Sequence, residues 1–276
     1  MTRTSFLHLL FCTITYIAFA QPKPPVKISP TRAYYEQNAQ GLIILADNQA
    51  YCPYTISIKL ELVNMESNQG DFFQVVIPGQ TTRLPLAQLT ISDPSKKSSF
   101  SMGSAYLLGN AIEPPAHDGI YLLPFQSGET YIMSQGYNGN FSHKDKNALD
   151  FTMEIGTPVC AARGGVVTEV IDQFSKGCSD PTCLYEANTI TIYHKDGTFA
   201  DYAHLKRKGS LVQAGDEVIA GQVIGYSGNT GYSSGPHLHF EVYYFDEDIK
   251  VSLPTKFEVG GVSPIYLEEK KSYTRH

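Results

Sequence analysis

A period of two constrains this chain most. In "YTISIKLELVNM", residues 54–65, Ile56, Ile58, Leu60 and Leu62 fall on one face and mainly polar residues on the other, the pattern of a half-buried antiparallel strand. "DFFQVVIPG" and "QTTRLPLAQLTI" continue in that style, and "VVTEVI", "NTITIYHK", "TFADYAHL", "DEVIAGQVIGYSG" and "HLHFEVYY" follow further on, separated by Gly, Pro, Asn and Ser. Few segments keep a helical period over a useful length. The expected fold is all-β: an N-terminal β-sandwich-like domain, then a second domain built on an antiparallel β-sheet.

"NAIEPPAHDG", residues 110–119, marks the boundary, because adjacent prolines and a glycine stop strand pairing. The expected division is a signal peptide at 1–20, the sandwich-like domain at 21–118 behind a proline-rich "QPKPP" linker, the second domain at 119–255 and a C-terminal tail at 256–276. The first segment has Arg3, an apolar core from Phe6 to Phe19 and Ala18-Phe19-Ala20 before Gln21, the form of an export signal cleaved after Ala20. The mature protein is then expected to be secreted or periplasmic and out of the membrane. Export permits disulfides, and Cys178 and Cys183 bracket the turn-forming "SDPT", so these two are expected to pair. A formal charge of −6 with no long Lys/Arg block argues against a nucleic-acid surface. A short echo, Gly156-x-x-Val159-x-Ala161 against Gly215-x-x-Val218-x-Ala220, suits two related hairpin halves.

In "SGPHLHFEV", residues 234–242, strand alternation puts His237 and His239 on one face and Leu238 and Phe240 on the other. Alone, His-x-His is a weak metal signal. Its company strengthens it: "SHKDKNALDF" offers His143 and Asp150, and "DYAHL" offers His204. Imidazole and carboxylate are the usual ligands of catalytic zinc, which takes three protein groups and leaves one position for water. The glycine-rich "GYSGNTGYSSGP" ahead of His237 lets backbone come close to a substrate. His194, before the turn "KDG", is expected at the surface at a strand end. Tyr137 and Asn138 in "QGYNG" could bond substrate or stabilise a turn; His8, His117 and His276 receive no role.

The stretches "SHKDKNALDFTMEIGTPVCAARGGVV", "YAHL" and "VQAGDEVIAGQVIGYSGNTGYSSGPHLHFEV" together resemble the lysostaphin/LytM-type zinc metallopeptidases, which cut peptidoglycan peptides. The likeness spans roughly residues 120–245, in the family's motif order, and excludes the sandwich and the tail. It implies a LytM-type catalytic sheet, one zinc per chain held by His143, Asp150 and His239, and two non-ligand catalytic histidines, His204 and His237. It also implies a substrate, the stem or cross-bridge peptides of peptidoglycan; the alternative on the same fold is a catalytically silent binding or regulatory protein. One departure stands out. The family commonly has three residues between its first histidine and aspartate, whereas six separate His143 from Asp150, so a longer loop must carry His143 back to the metal, with Asp145 as the competing ligand.

Overall fold

The computed structural model describes residues 29–246 and 249–276, so the signal segment and the "QPKPP" linker lie outside the described residues. Among the described residues, every regular element but one short 3-10 turn, Pro181–Cys183, is a strand. In the N-terminal part, one sheet orders Thr31–Asn38, Gly41–Asn48, Thr81–Ile91 and Met65–Ser67, and a second places Tyr54–Val63 between Phe72–Ile77 and Ser99–Leu108. Ile56, Ile58 and Leu60 are buried with Ile44, Ile77 and Leu89 in one apolar cluster, and Leu62 packs at its margin, so the alternating face points where the sequence places it.

The larger part is organised by the strand His237–Asp246. One edge pairs with Phe199–Ala203; the other pairs first with Ala148–Thr152 and then with Ile249–Leu253. The sheet extends through Thr189–Tyr193, Gly165–Ile171 and Glu217–Val218 on one side and through Thr130–Gln135 and Ser272–Thr274 on the other. Leu149, Phe151, Tyr202, Leu238 and Phe240 point to one face and are buried with Tyr121, Phe125 and Val159. Each such side chain taken from water contributes about 1.5–3 kcal/mol, so this face fixes which way the alternate residues point.

Residues 256–276 are integrated into this unit rather than trailing from it. Lys256–Glu258 pairs in parallel with Ile120–Leu122, Ser272–Thr274 pairs with Thr130–Gln135, and Phe257, Leu267 and Tyr273 are buried in the main cluster. These anchors lie ten and six residues apart with no strand period, which is why the segment reads as a tail. The N-terminal part packs on the large sheet through Cys52, Phe199 and Tyr243, joined by Tyr54, Leu108 and Phe245. Cys178 and Cys183 form the expected disulfide. In the internal echo, Gly156 and Gly215 both take positive φ, 93° and 99°, at a turn leading into a short strand.

His194 departs from expectation. It follows the end of the Thr189–Tyr193 strand, just before a turn, as anticipated, but it is fully buried against Tyr121. Its Nδ1–H donates to the Gly164 carbonyl at 2.9 Å, and its Nε2 is buried with no partner among the described residues. The turn "KDG" marks a surface loop, but the apolar cover comes from Tyr121, distant in sequence. Burial, aided by the nearby Arg163 charge, pushes the imidazole down to about 4, below its ordinary 6.5. Between these values the unfolded chain takes a proton that the folded chain refuses, so this contribution is complete above pH 6.5 and is lost as pH falls towards 4. In chelator-treated protein, the unfolding free energy of wild type should drop between pH 7.5 and pH 4 by about 3 kcal/mol more than that of His194→Asn, measured by denaturant titration.

Candidate metal centre

The register of two strands creates the site. Asp150 lies directly opposite His239 in the antiparallel pairing, and Ala203 lies opposite His239 on the other edge. Because the neighbouring residues Leu149, Phe151, Leu238 and Phe240 are held in the core, Asp150, His237 and His239 must face outward together. Asp150 Oδ1 stands 2.9 Å from His239 Nδ1 and 3.7 Å from His237 Nε2.

His143 arrives from the loop before the Ala148–Thr152 strand. The six-residue interval folds outward: Lys146 N–H closes a turn on the His143 carbonyl at 2.9 Å, Asp145 takes a positive φ of 58°, and Lys144, Asp145 and Lys146 are exposed. Asn147 pins the end of the loop to Ser252 through its backbone N–H and its side-chain amide. His143 itself is buried, 1% exposed, and its Nε2 stands 3.2 Å from both Asp150 Oδ1 and His239 Nδ1. The longer loop thus brings His143 back to the cluster, while Asp145 stays outside it.

His143, Asp150 and His239 therefore converge with edges of 3.2, 3.2 and 2.9 Å. Ligands of a tetrahedral zinc at about 2.0–2.1 Å stand about 3.3 Å from one another, so one ion fits the triangle. The tautomers agree. The Gly136 carbonyl can only accept, so His143 carries its proton on Nδ1, bonded to it at 3.0 Å, and turns the Nε2 lone pair inward. His239 presents Nδ1 inward, while its Nε2 faces Glu241 Oε2 at 4.0 Å.

Three inward acceptors repel one another unless a cation sits among them, and in the metal-free protein a proton on His239 fills that role. Burial alone would discharge this imidazole, but Asp150 and Glu241 outweigh it and raise it to about 9. Burial likewise opposes the Asp150 charge, yet the hydrogen bond and charge of protonated His239 help hold its carboxyl well below the usual carboxylate range. Behind His239, Lys250 Nζ donates to Glu241 Oε2 at 2.7 Å and to Asp201 Oδ2 at 3.1 Å, so the carboxylate facing the imidazole is itself anchored.

His204 and His237 flank the cluster. Their rings lie 4.5 Å apart, and His204 lies 5.8 Å from the His239 ring. His204 Nδ1–H donates to the Thr230 carbonyl at 2.7 Å, and His237 Nδ1–H to the Gly235 carbonyl at 2.8 Å, which leaves both Nε2 lone pairs free. Burial, reinforced by the charge on His239, pushes His204 down to about 3 and keeps it neutral. His204 is at φ 63°, a left-handed conformation costing about 1–3 kcal/mol that re-aims the chain at the end of the Phe199–Ala203 strand.

Asp150, His204, His237 and His239 line a groove of about 420 Å³, open to solvent, to which the chain ahead of Asp150 contributes Gln135, Phe141 and Ser142 and the chain ahead of His237 contributes Tyr232, Ser233 and Ser234. Among the described residues, none from 29–118 lines it. Five residues singled out in the sequence thus come together. Tyr137 and Asn138 do not join them: Tyr137 OH bonds Thr255, and Asn138 N–H bonds the Lys146 carbonyl, so both brace the His143 loop. Sequence reasoning missed Thr230, Gly235 and Glu241; only Glu241 carried a signal, being on the same period-two face as His237 and His239.

Residues 144–251 match Peptidase family M23, starting one residue after His143. An uncharacterized metalloprotease of Buchnera aphidicola is 37% identical over 127 residues, 44% of this chain and 31% of that protein. Lysostaphin of Staphylococcus simulans is 40% identical over 107 residues, covering 38% and 19%. The peptidoglycan DD-endopeptidase ShyA of Vibrio cholerae is 40% identical over 96 residues, covering 35% and 20%. The chain spans less than a third of the length of each of these relatives. The matched region, together with the His143, Asp150 and His239 cluster, identifies a peptidase family M23 metallopeptidase domain of the lysostaphin/LytM type over residues 144–251 of this chain.

Proposed function

We propose that the chain is an exported zinc metalloendopeptidase that hydrolyses amide bonds in peptidoglycan stem or cross-bridge peptides. The observation that carries this reading is the triangle of donors spaced for one tetrahedral zinc, flanked in an open groove by two imidazoles with free Nε2 lone pairs. The substrate class rests on the similarity to lysostaphin and ShyA. The Cys178–Cys183 disulfide supports an oxidising compartment outside the cytoplasm.

In this reading His143 Nε2, Asp150 Oδ1 and His239 Nδ1 hold one zinc per chain. Bound there, zinc polarises the scissile carbonyl and brings the pKa of water towards neutrality. The remaining work belongs to the protein. His204 and His237 each present an Nε2 that can take the proton of the attacking water or, once protonated, hydrogen-bond the developing oxyanion. The groove, lined by Phe141 and Tyr232 among others, takes an extended peptide. We assign residues 21–118 to a sandwich-like domain, which Cys52, Tyr54 and Leu108 pack on the sheet beyond the site, and 119–255 to the catalytic domain; the packing of Phe257 and Tyr273 supports counting 256–276 with the latter.

Purified protein should hold about one zinc per chain by elemental analysis. His237→Ala should keep that zinc while the release of amino groups from purified peptidoglycan falls at least about a hundredfold, the scale of general acid–base catalysis. Wild-type protein that retains zinc yet releases no amino groups from several wall types would overturn the endopeptidase reading. Mass spectrometry of products from defined muropeptides identifies the bond.

The outward-folded loop gives a separate test. In a chelator-competition titration, His143→Ala should weaken zinc binding at least about tenfold, and Asp145→Ala should leave it unchanged. The reverse order would assign the ligand to Asp145.

A further inference from the structure

The strand and loop at 230–235 carry the acceptors that aim both non-ligand histidines. Thr230 O holds His204 Nδ1, Gly235 O holds His237 Nδ1, and Ser233 Oγ lies 2.8 Å from the Gly235 carbonyl and 3.2 Å from His237 Nδ1. This segment has little sheet of its own. Its strand, Gly231–Tyr232, pairs only with Gly177–Cys178, in parallel. Gly231 N–H donates to the Lys176 carbonyl at 2.8 Å and Ser233 N–H to the Cys178 carbonyl at 3.0 Å.

Those partners belong to an excursion, residues 172–188, between the Gly165–Ile171 and Thr189–Tyr193 strands. It is closed on itself by the Cys178–Cys183 disulfide, by Asp180 accepting Thr182 N–H at 2.8 Å, and by Glu186 N–H on the Cys183 carbonyl at 3.0 Å. At its far end, buried Asn188 donates to the Phe174 and Leu205 carbonyls, and its N–H donates to Thr230 Oγ1 at 3.0 Å. Two glycines let the layers lie flush. A Cβ on Gly177 would meet the Asn229 carbonyl oxygen at 2.0 Å, and one on Gly231 would meet the Ala187 Cβ at 2.6 Å.

We propose that this disulfide-tied excursion is a positioning element for His204 and His237: Cys178 and Cys183 hold a parallel strand under the 230–235 segment and so fix the carbonyls that aim both rings. The metal ligands do not depend on it, since Asp150 and His239 are held by the central strand pairing and His143 by Gly136. The inference rests on the catalytic role proposed above for the two histidines. It predicts a split between two properties that share one groove.

The test uses the full, zinc-loaded chain carrying Cys178→Ser together with Cys183→Ser. Zinc content and KM should stay within about twofold of wild type while kcat falls at least about tenfold, because small misplacement of a catalytic group costs up to about a hundredfold. Gly177→Ala, which lifts the excursion with the disulfide intact, should give the same split. Ser179→Ala, an exposed change in the same loop, should leave kcat at the wild-type value. Nitrogen-15 NMR of the histidine side chains provides a readout independent of turnover: wild type should show His204 and His237 with the proton on Nδ1, and the double variant should show mixed tautomers. Should wild type cleave nothing, the function falls, and these tautomers still decide the positioning. A double variant with wild-type kcat and unchanged tautomers overturns the proposal, as does one whose zinc is lost in step with activity, since the excursion would then serve the metal cavity or the fold.

Discussion

The contact between Asp150 and His239 across one antiparallel pairing is the interaction on which the rest depends. It is a consequence of register: Leu149 opposite Phe240 and Phe151 opposite Leu238 bury their side chains, so the residues between them must share the solvent face. A one-residue slip of either strand would exchange its two sets, placing Asp150 or both imidazoles in the core and two large apolar groups in water. Apolar burial therefore specifies the polar site.

Around that fixed pair, the other groups are aimed by backbone carbonyls. Gly136, Thr230 and Gly235 each accept an Nδ1–H, which selects the tautomer and leaves the Nε2 of His143, His204 and His237 unprotonated. His239 is turned the other way, with Nδ1 inward and Nε2 towards Glu241, and Lys250 bridges Glu241 to Asp201 behind it. Partial desolvation lowers the Lys250 ammonium, but the two carboxylates outweigh it and raise the group above its ordinary value. The cationic partner limits the repulsion between buried Glu241 and half-buried Asp201, close to a third carboxylate at the site.

The N-terminal part approaches the same strand further along. Tyr243, four residues after His239 and on the same face, stacks with Phe199 in the cluster that includes Cys52, and its hydroxyl bonds Asp201. The packed surface therefore begins about 13 Å from His239 along the strand and stops short of the groove. Contact with the sheet and an open site coexist because the strand is ten residues long.

By itself the sequence determined the period-two strands, hence the all-β class, and the face shared by His237 and His239, because alternation is a local property that needs no partner. Motif order singled out His143, Asp150 and His204 through resemblance, and the "SDPT" turn pointed to the Cys178–Cys183 pair because five residues of chain already bring it close. Tertiary structure decided the remainder. It folded the long interval after His143 outward, so that His143 rather than Asp145 reaches the cluster, and it buried His194 under Tyr121. It drew Phe257 and Tyr273 into the core and supplied Thr230 and Gly235 as backbone acceptors that no side-chain pattern announces. The physical reason is common to these cases: each depends on a partner tens of residues away or on a main-chain carbonyl, and neither leaves a trace in local residue spacing.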